Sequence, residues 1–280
     1  MAFENKTIAF IGSGVMAEAM IKGLLNQQLL TGDQLVAADP REDHGRELVA
    51  RYHLHFTTDN AEAARAANIL VVSTKPQVIG QVFQSLKGAG STPSLVLSIL
   101  AGVRISTLMD GTGNRSVARA MPNTPAQIGE GITVWTATPD VPESERQQAK
   151  TLLGALGEEL FMEDEKFLDM ATALSGTGPA YVFLFMEALI DAGVHMGFSR
   201  RDAERLVLQT VRGSVDYARQ SGLHPAELRN QVTSPGGTSA EALYQLEKGG
   251  LRTVLSRAVY AAYRRSVELG RAQEKKREGE

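Results

Sequence analysis

A short apolar strand leads directly into a glycine-rich turn near the start of the chain, and this feature most constrains the fold. Residues 7–11 (TIAFI) are predicted to form a buried strand, and a G-x-G-x-x-A turn that opens a helix follows, made of Gly12, Ser13, Gly14, Val15, Met16 and Ala17. Gly12 permits the tight turn, Gly14 lets the backbone approach a pyrophosphate, and Ala17 allows close packing of helix on strand. The free N–H groups at the helix start attract phosphate. In this context the pattern favours dinucleotide binding over a plain strand-to-helix connection.

Further strands alternate with helical segments over the first part of the chain. Strands are predicted at 34–38, 69–73, 95–99, 116–120, 131–135 and 159–162, with an amphipathic helix at 143–156. Strands of nearly continuous apolar character, separated by helices, are typical of a parallel sheet covered on both faces. The fold class is therefore α/β, an N-terminal Rossmann doubly wound parallel sheet.

The pattern changes to helical periodicity from Lys166 onward. We place the domain boundary here, with a dinucleotide-binding domain over residues 1–164 and an all-α domain over 165–280. Within the second domain, the small residues of Ser175–Pro179 interrupt the first helix, and either helix-to-helix packing at a dimer interface or direct ligand contact would explain them.

Composition excludes several classes of function. The chain has no cysteine, which rules out thiol catalysis and cysteine-ligated metals. The five histidines are scattered without metal-ligand spacing, so surface or cap roles are expected for them. A formal net charge of −3 gives no reason to expect nucleic acid as a partner. With no basic leader and no uninterrupted apolar run of roughly 20 residues, we expect a soluble cytoplasmic protein without a membrane partner.

Two charged residues follow the second predicted strand, where the cofactor ribose would lie. Asp39 would bond the ribose hydroxyls of NAD, whereas Arg41 could pair with the 2′-phosphate of NADP. An exposed surface role is equally compatible with Arg41. The cofactor is therefore predicted as NADPH or NADH, with the choice left open.

Loops that follow other strands complete the predicted cofactor site, because ligands bind at the carboxyl ends of strands in such sheets. A proline at the first turn of a helix would also explain Lys75-Pro76, but two prolines around Asn123-Thr124 make a rigid polar loop. The cofactor-binding residues predicted from these loops are Lys75, Pro76, Ala101, Gly102, Pro122 and Asn123, and Asn60 is also expected to bind the cofactor.

A proline and two glycines precede a helix in the second domain, at residues 234–239 (SPGGTS). Such a turn, with Ser and Thr at a helix start, forms a site for a small carboxylate. The alternative is an N-cap, in which Ser or Thr bonds only its own helix.

Together these motifs identify a resemblance. The glycine turn, Lys75-Pro76-Gln77, Met121–Ala126 (MPNTPA), Ser175–Tyr181 (SGTGPAY) and Val232–Ser239 (VTSPGGTS) resemble the pyrroline-5-carboxylate reductase family, in order and over nearly the whole chain. Three residues depart from the family pattern: Thr177 stands where serine is commoner, Ser239 where threonine is expected, and Val15 where asparagine is frequent.

The resemblance implies a helical dimerisation domain, a homodimer that assembles further into a ring, and NAD(P)H-dependent reduction of Δ1-pyrroline-5-carboxylate to L-proline. It also implies substrate-binding residues, namely Ser234 and the backbone amides of Gly237, Thr238 and Ser239. The hydroxyl of Ser239 would hydrogen-bond the ring nitrogen and is the implied catalytic group.

Three rival functions remain for comparison. A hydroxyacid dehydrogenase needs a proton donor, commonly a lysine early in the second domain, and residues 175–189 contain none. A non-catalytic dinucleotide sensor would not need the turn at 234–239. An imine reductase that acts on a different ring also fits the motifs.

Overall fold

The computed structural model describes residues 3–87, 89–90 and 93–278. In this part of the chain the strands form one eight-stranded sheet. Their bounds are β1 Ile8–Ile11, β2 Leu35–Ala38, β3 His55–Thr57, β4 Ile69–Val72, β5 Leu95–Ser98, β6 Val117–Met121, β7 Gly131–Ala137 and β8 Gly157–Phe161. The order across the sheet is β3-β2-β1-β4-β5-β6-β7-β8. The first six strands are parallel to one another, which confirms the predicted Rossmann arrangement.

Helices cover both faces of this sheet. Alternate residues of β1 point to opposite faces, so Ile8 and Phe10 lie in one buried core while Ala9 and Ile11 lie in the other. A strand that is buried on both sides must be apolar throughout, which explains the continuous apolar runs in the sequence. The helices of this part are α1 Val15–Asn26, α2 Glu42–Tyr52, α3 Asn60–Ala66, α4 Ile79–Leu86, α5 Ile105–Thr112, α6 Glu143–Gly154 and α7 Lys166–Ala171.

The sheet departs from the expected all-parallel pairing at one place. Strand β7 runs antiparallel to β6, and β8 then pairs parallel to β7. The connection from Pro122 to Glu130 contains only a 3₁₀ turn at Thr124–Ile128. Because a parallel crossover needs roughly a dozen or more residues, this short connection forces the chain to reverse.

Strand β3 was absent from the sequence prediction. It has three residues, His55, Phe56 and Thr57, none of them fully buried, and it lies at the edge of the sheet. A strand this short has no measurable alternation of apolar and polar residues, so only its pairing with β2 reveals it.

The rest of the chain is helical, as predicted. Ser199 caps the second helix of this part by accepting the N–H of Asp202, and Gly222 ends the same helix in the left-handed conformation. The bounds are α8 Gly178–His195, α9 Arg200–Ser221, α10 Pro225–Gln231, α11 Thr238–Lys248 and α12 Leu251–Glu278.

The described residues group into two compact units. One contains Met1–Thr177 together with Ala262–Glu280, and the other contains Gly178–Ala261. The second unit exposes large apolar side chains such as Phe183, Leu184 and Tyr260 in the single chain. The domain division at residues 164 and 165 stays a prediction.

One helical stretch qualifies, by length and composition alone, as a possible membrane span. It is Lys166–His195, which consists of α7, a π turn at Thr172–Gly176 and α8. The sequence prediction found no such segment because it counted uninterrupted apolar residues, whereas an average over the stretch tolerates Glu187 and Asp191. Only 6% of its apolar 18-residue window is buried in the single chain. An exposed apolar surface of this kind marks a site that a protein or a membrane covers.

Candidate functional site

The predicted cofactor residues lie together at the carboxyl ends of the parallel strands. The first six strands are parallel, so their carboxyl ends all meet at one edge of the sheet. Gly12–Ala17 follow β1, Asp39 and Arg41 follow β2, Asn60 follows β3, Lys75 and Pro76 follow β4, Ala101 and Gly102 follow β5, and Pro122 and Asn123 follow β6.

Gly12 is required by both conformation and space. Its φ angle is +88°, in the region that favours glycine, and a Cβ there would lie 2.7 Å from Thr74 Cγ2 and 2.9 Å from the Thr74 nitrogen. Its N–H donates to the Ala38 carbonyl at 2.8 Å, and its carbonyl accepts the Ser73 hydroxyl at 2.6 Å. The first glycine of the motif is therefore held tightly between β2 and the loop after β4.

Gly14 differs, because it faces open space. It is the N-cap of α1 and has ordinary dihedral angles, and apart from its two chain neighbours no described residue has an atom within 4 Å of the position that a Cβ would take. The first bond of the helix runs from the Glu18 N–H to the Gly14 carbonyl, which leaves the N–H groups of Val15, Met16 and Ala17 outside the helical pattern. This arrangement leaves room and donors for a phosphate group.

Two buried hydroxyls beside the turn lack hydrogen-bond partners among the described residues. They are Ser13 Oγ and Thr74 Oγ1. A buried polar atom without a partner in the protein calls for an explanation. Phosphate oxygens at the turn would accept from these hydroxyls, so the residues present fit a dinucleotide cofactor.

Asp39 and Arg41 form a two-pronged ion pair. Arg41 Nε donates to Asp39 Oδ1 at 2.8 Å and Nη2 donates to Oδ2 at 3.0 Å, while the Ser13 N–H also donates to Oδ2 at 3.2 Å. Burial raises the pKa of the Asp39 carboxyl, but the hydrogen bonds from Arg41 and Ser13 outweigh it and lower the pKa to about 2. The carboxylate is therefore ionised and paired at neutral pH, and its charge is offset by Arg41.

His44 was missed as a member of this region. Its Nε2 lies 2.6 Å from the Ser13 carbonyl oxygen and donates to it, so α2 supports the glycine turn. The expectation of a surface or cap role is wrong for His44, although His224 does cap α10 by accepting the Ala226 N–H. No local pattern distinguishes His44, because the contact joins residues that are distant in sequence.

Two asparagines of the predicted cofactor site already make bonds within the protein. Asn60 Nδ2 donates to Ser85 Oγ at 3.0 Å, and Asn123 Oδ1 accepts the N–H of Ile132 at 2.9 Å. Lys75, in contrast, is exposed and precedes a 3₁₀ turn that Pro76 begins. These bonds stabilise the loops, and the cofactor contacts of these residues stay predictions.

The interruption near Ser175 is a π turn, Thr172–Gly176. Ser175 Oγ bonds back to the Ala171 carbonyl at 3.0 Å, and a Cβ on Gly176 would lie 2.8 Å from Met121 Cε at the end of β6. The small residue therefore permits close packing on Met121 of the same chain, whereas packing at a dimer interface and ligand contact both stay predictions for this motif. π turns are frequent at functional sites.

The turn at residues 234–239 has the geometry of a type II turn followed by a helix. Pro235 and Gly236 are its central residues, Gly236 has a φ angle of +70°, and the Gly237 N–H donates to the Ser234 carbonyl at 3.0 Å. Gly237, not Ser or Thr, is the N-cap of α11, and the cap makes no side-chain hydrogen bond. The side-chain cap that rivalled an anion site is therefore absent from this turn.

This geometry changes one detail of the expected substrate site. The Gly237 N–H closes the turn, so in this conformation it is not free to bind a carboxylate. The next intrahelical donor is the Ala240 N–H, which bonds the Gly237 carbonyl at 3.1 Å, and the N–H groups of Thr238 and Ser239 precede it. The Ser234 hydroxyl is held close to Gly237, since a Cβ on Gly237 would lie 2.5 Å from Ser234 Oγ.

Two family models match the chain. The model described as pyrroline-5-carboxylate reductase dimerisation matches residues 165–269. The model described as NADP oxidoreductase, coenzyme F420-dependent, matches residues 7–102. The first match covers most of the helical part, and the second covers the glycine turn and the strands β1 to β5.

Named relatives and a solved structure agree with these models. A pyrroline-5-carboxylate reductase of Synechocystis sp. is 40% identical over 264 residues, which cover 94% of this chain and 98% of that protein. The protein of the same name from Pisum sativum is 38% identical over 266 residues, 95% of this chain and 97% of that protein. A crystal structure of Plasmodium falciparum pyrroline carboxylate reductase with NADP bound has a TM-score of 0.87 and 34% identity, covering 96% of this chain and 99% of that one.

Proposed function

Because the chain belongs to the pyrroline-5-carboxylate reductase family, we propose that residues 1–164 hold NAD(P)H and residues 165–280 hold Δ1-pyrroline-5-carboxylate while it is reduced to L-proline. The chain is an NAD(P)H-dependent oxidoreductase that acts on a C=N bond, in the last step of proline biosynthesis. The observation that carries the cofactor assignment is the glycine turn, with open space at Gly14 and two unpartnered hydroxyls beside it.

The carboxyl edge of the sheet is the proposed cofactor site. When bound, the reduced nicotinamide supplies the hydride. The turn from Gly12 to Ala17 would hold the pyrophosphate, and Asp39 with Arg41 would face the adenosine ribose. The loops after the other strands would line the rest of the cofactor through Asn60, Lys75, Pro76, Ala101, Gly102, Pro122 and Asn123.

The turn before α11 is the proposed substrate site. The Ser234 hydroxyl and the N–H groups of Thr238 and Ser239 would hold the substrate carboxylate, supported by the positive end of the helix dipole. The Ser239 hydroxyl would hydrogen-bond the ring nitrogen and orient the imine. A protonated cyclic imine is already electrophilic, so orienting its carbon for hydride transfer is the main requirement.

A turnover assay tests the proposed function. The purified protein with NADPH is expected to lose the absorbance of the reduced nicotinamide when Δ1-pyrroline-5-carboxylate is added, and amino-acid analysis is expected to detect proline in equal amount. Cofactor that binds tightly but is not oxidised would contradict the proposal and favour a sensor.

We expect the Arg41→Ala variant to lose activity with NADPH selectively. Arg41 offsets the Asp39 charge, so its removal takes away a partner of the 2′-phosphate and leaves a carboxylate that repels it. We expect kcat/KM for NADPH to fall about tenfold, with little change for NADH. Initial rates with both cofactors measure this effect.

Arg46→Ala is the matched control, since Arg46 lies exposed on α2 and pairs with Glu42 and Asp43. This variant is expected to behave like the wild type with either cofactor. An equal loss with NADPH and NADH in Arg41→Ala would refute a role for Arg41 at the 2′-phosphate.

The helical part provides the surface for assembly, and its match to a dimerisation model supports an oligomer. We propose a homodimer that assembles further into a ring, in a soluble, cytoplasmic protein. The exposed apolar side chains of α8, including Phe183 and Leu184, support a protein partner as the group that covers this surface.

A further inference from the structure

A buried arginine connects β6 to α7. The Arg119 side chain is only 3% exposed; its Nη1 lies 2.7 Å from Glu165 Oε1, and its Nη2 lies 3.7 Å from Asp169 Oδ1. Its Nε has no hydrogen-bond partner among the described residues. Burying such a charge costs desolvation, and an ion pair of this kind is often no more stabilising than apolar residues of similar volume. A gain in folding stability therefore does not explain why Arg119 is buried.

The same cluster holds the start of α5. Glu165 Oε1, which accepts from Arg119, also accepts the N–H of Ile105 at 2.8 Å. Ile105 is the first residue of α5 and follows the loop that contains Ala101 and Gly102. The Glu165 side chain therefore holds the point at which this loop ends and α5 begins.

The end of α12 supports the loop from another side. Ser266 Oγ donates to Asp169 Oδ1 at 2.9 Å. One turn further on, a Cβ on Gly270 would lie 3.3 Å from the Gly102 carbonyl oxygen. Gly102 itself has a φ angle of +73°. Two glycines therefore allow α12 and the loop to approach closely.

We propose that Arg119 and Ser266 are positioning residues, which act through Glu165 and Asp169 to hold the Ala101–Gly102 loop at the carboxyl end of β5. This inference rests on the proposed function, in which Ala101 and Gly102 line part of the bound cofactor. A misplacement of about 1 Å at a reacting centre lowers the rate by up to about 100-fold. A loop that shifts by a few tenths of an ångström is therefore expected to slow hydride transfer.

The Arg119→Lys variant tests the proposal in the full-length protein. Lysine keeps the charge, but one ammonium group cannot reach two carboxylates as a guanidinium does. We expect kcat to fall about tenfold while KM for Δ1-pyrroline-5-carboxylate changes little. With cofactor deuterated at nicotinamide C4, the isotope effect on kcat is expected to rise, because hydride transfer becomes more strongly rate-limiting.

Arg115→Lys is the matched control, since Arg115 is exposed and pairs with Asp140; it is expected to leave kcat and the isotope effect unchanged. Ser266→Ala is a second, milder variant that removes one hydrogen bond, with an expected loss of about threefold in kcat and a smaller rise in the isotope effect. Ser266→Ala still tests the positioning role if Arg119→Lys does not fold.

A purely structural role makes a different prediction. In that case both variants would melt at lower temperature, while kcat per folded enzyme and the isotope effect stayed at wild-type values, and the positioning role would be overturned. If the wild type binds NADPH but does not oxidise it with Δ1-pyrroline-5-carboxylate, the proposed function fails and the positioning role fails with it.

Discussion

The Gly14→Val variant is expected to fold normally and to bind NADPH about 100-fold more weakly than the wild type. Beyond the two chain neighbours of Gly14, no atom in the described part of the chain lies within 4 Å of the new Cβ, and the backbone there has ordinary dihedral angles, so the fold has room for the side chain. The same space is where we place the pyrophosphate. Losing one or two charge-assisted hydrogen bonds there corresponds to roughly 3 kcal/mol, or about 100-fold in affinity.

Two comparison variants separate this effect from general damage. Gly80→Val places the same side chain in open space on α4, and it is expected to keep wild-type affinity. Gly12→Ala forces a Cβ to within 2.7 Å of Thr74 at a φ angle of +88°, so it is expected to lower the melting temperature as well. Titration calorimetry with NADPH and thermal melts measure both properties. A wild-type affinity for NADPH in Gly14→Val would contradict the placement of the pyrophosphate at this turn.

Substitution of Ser239 by alanine is expected to lower kcat/KM for Δ1-pyrroline-5-carboxylate by about 10- to 100-fold, with no change in the Kd of NADPH. The Ser239 hydroxyl makes no hydrogen bond that caps its own helix, because Gly237 is the N-cap. Its proposed partner is the ring nitrogen of the substrate. A hydrogen bond to a charged group contributes about 1.5–3 kcal/mol, which corresponds to this range.

Two control variants test whether the hydroxyl of Ser239 itself is required. Ser239→Thr keeps the hydroxyl and is expected to retain most of the activity. Ser214→Ala removes a hydroxyl that donates to the Thr210 carbonyl of its own helix, and it is expected to have wild-type kinetics. Steady-state rates with varied substrate give the comparison. Full activity in Ser239→Ala, or equal losses in the alanine and threonine variants, would contradict the assigned role.

Structural features that are formed by residues adjacent in the sequence could be predicted from the sequence. The strand at Ile8–Ile11 and the turn that follows it were predicted almost to the residue, because burial on both faces and tight turning require particular residue types at adjacent positions. The start of α11 was predicted for the same reason, since the residues that form the turn are neighbours in sequence. The short edge strand β3 and the antiparallel direction of β7 depend on pairing partners and were not predicted.

By itself, then, the sequence determined the Rossmann order of strands and helices, the dinucleotide turn and the glycine-rich start of α11, since each is encoded by adjacent residues. Only the tertiary structure decided that the Gly237 N–H closes its own turn, that Arg41 covers Asp39, and that Arg119, Asp169 and Ser266 form one network. Ser266 and Asp169 are 97 positions apart. Contacts over such separations leave no periodic signal, because they arise only when the packed core brings the two segments together.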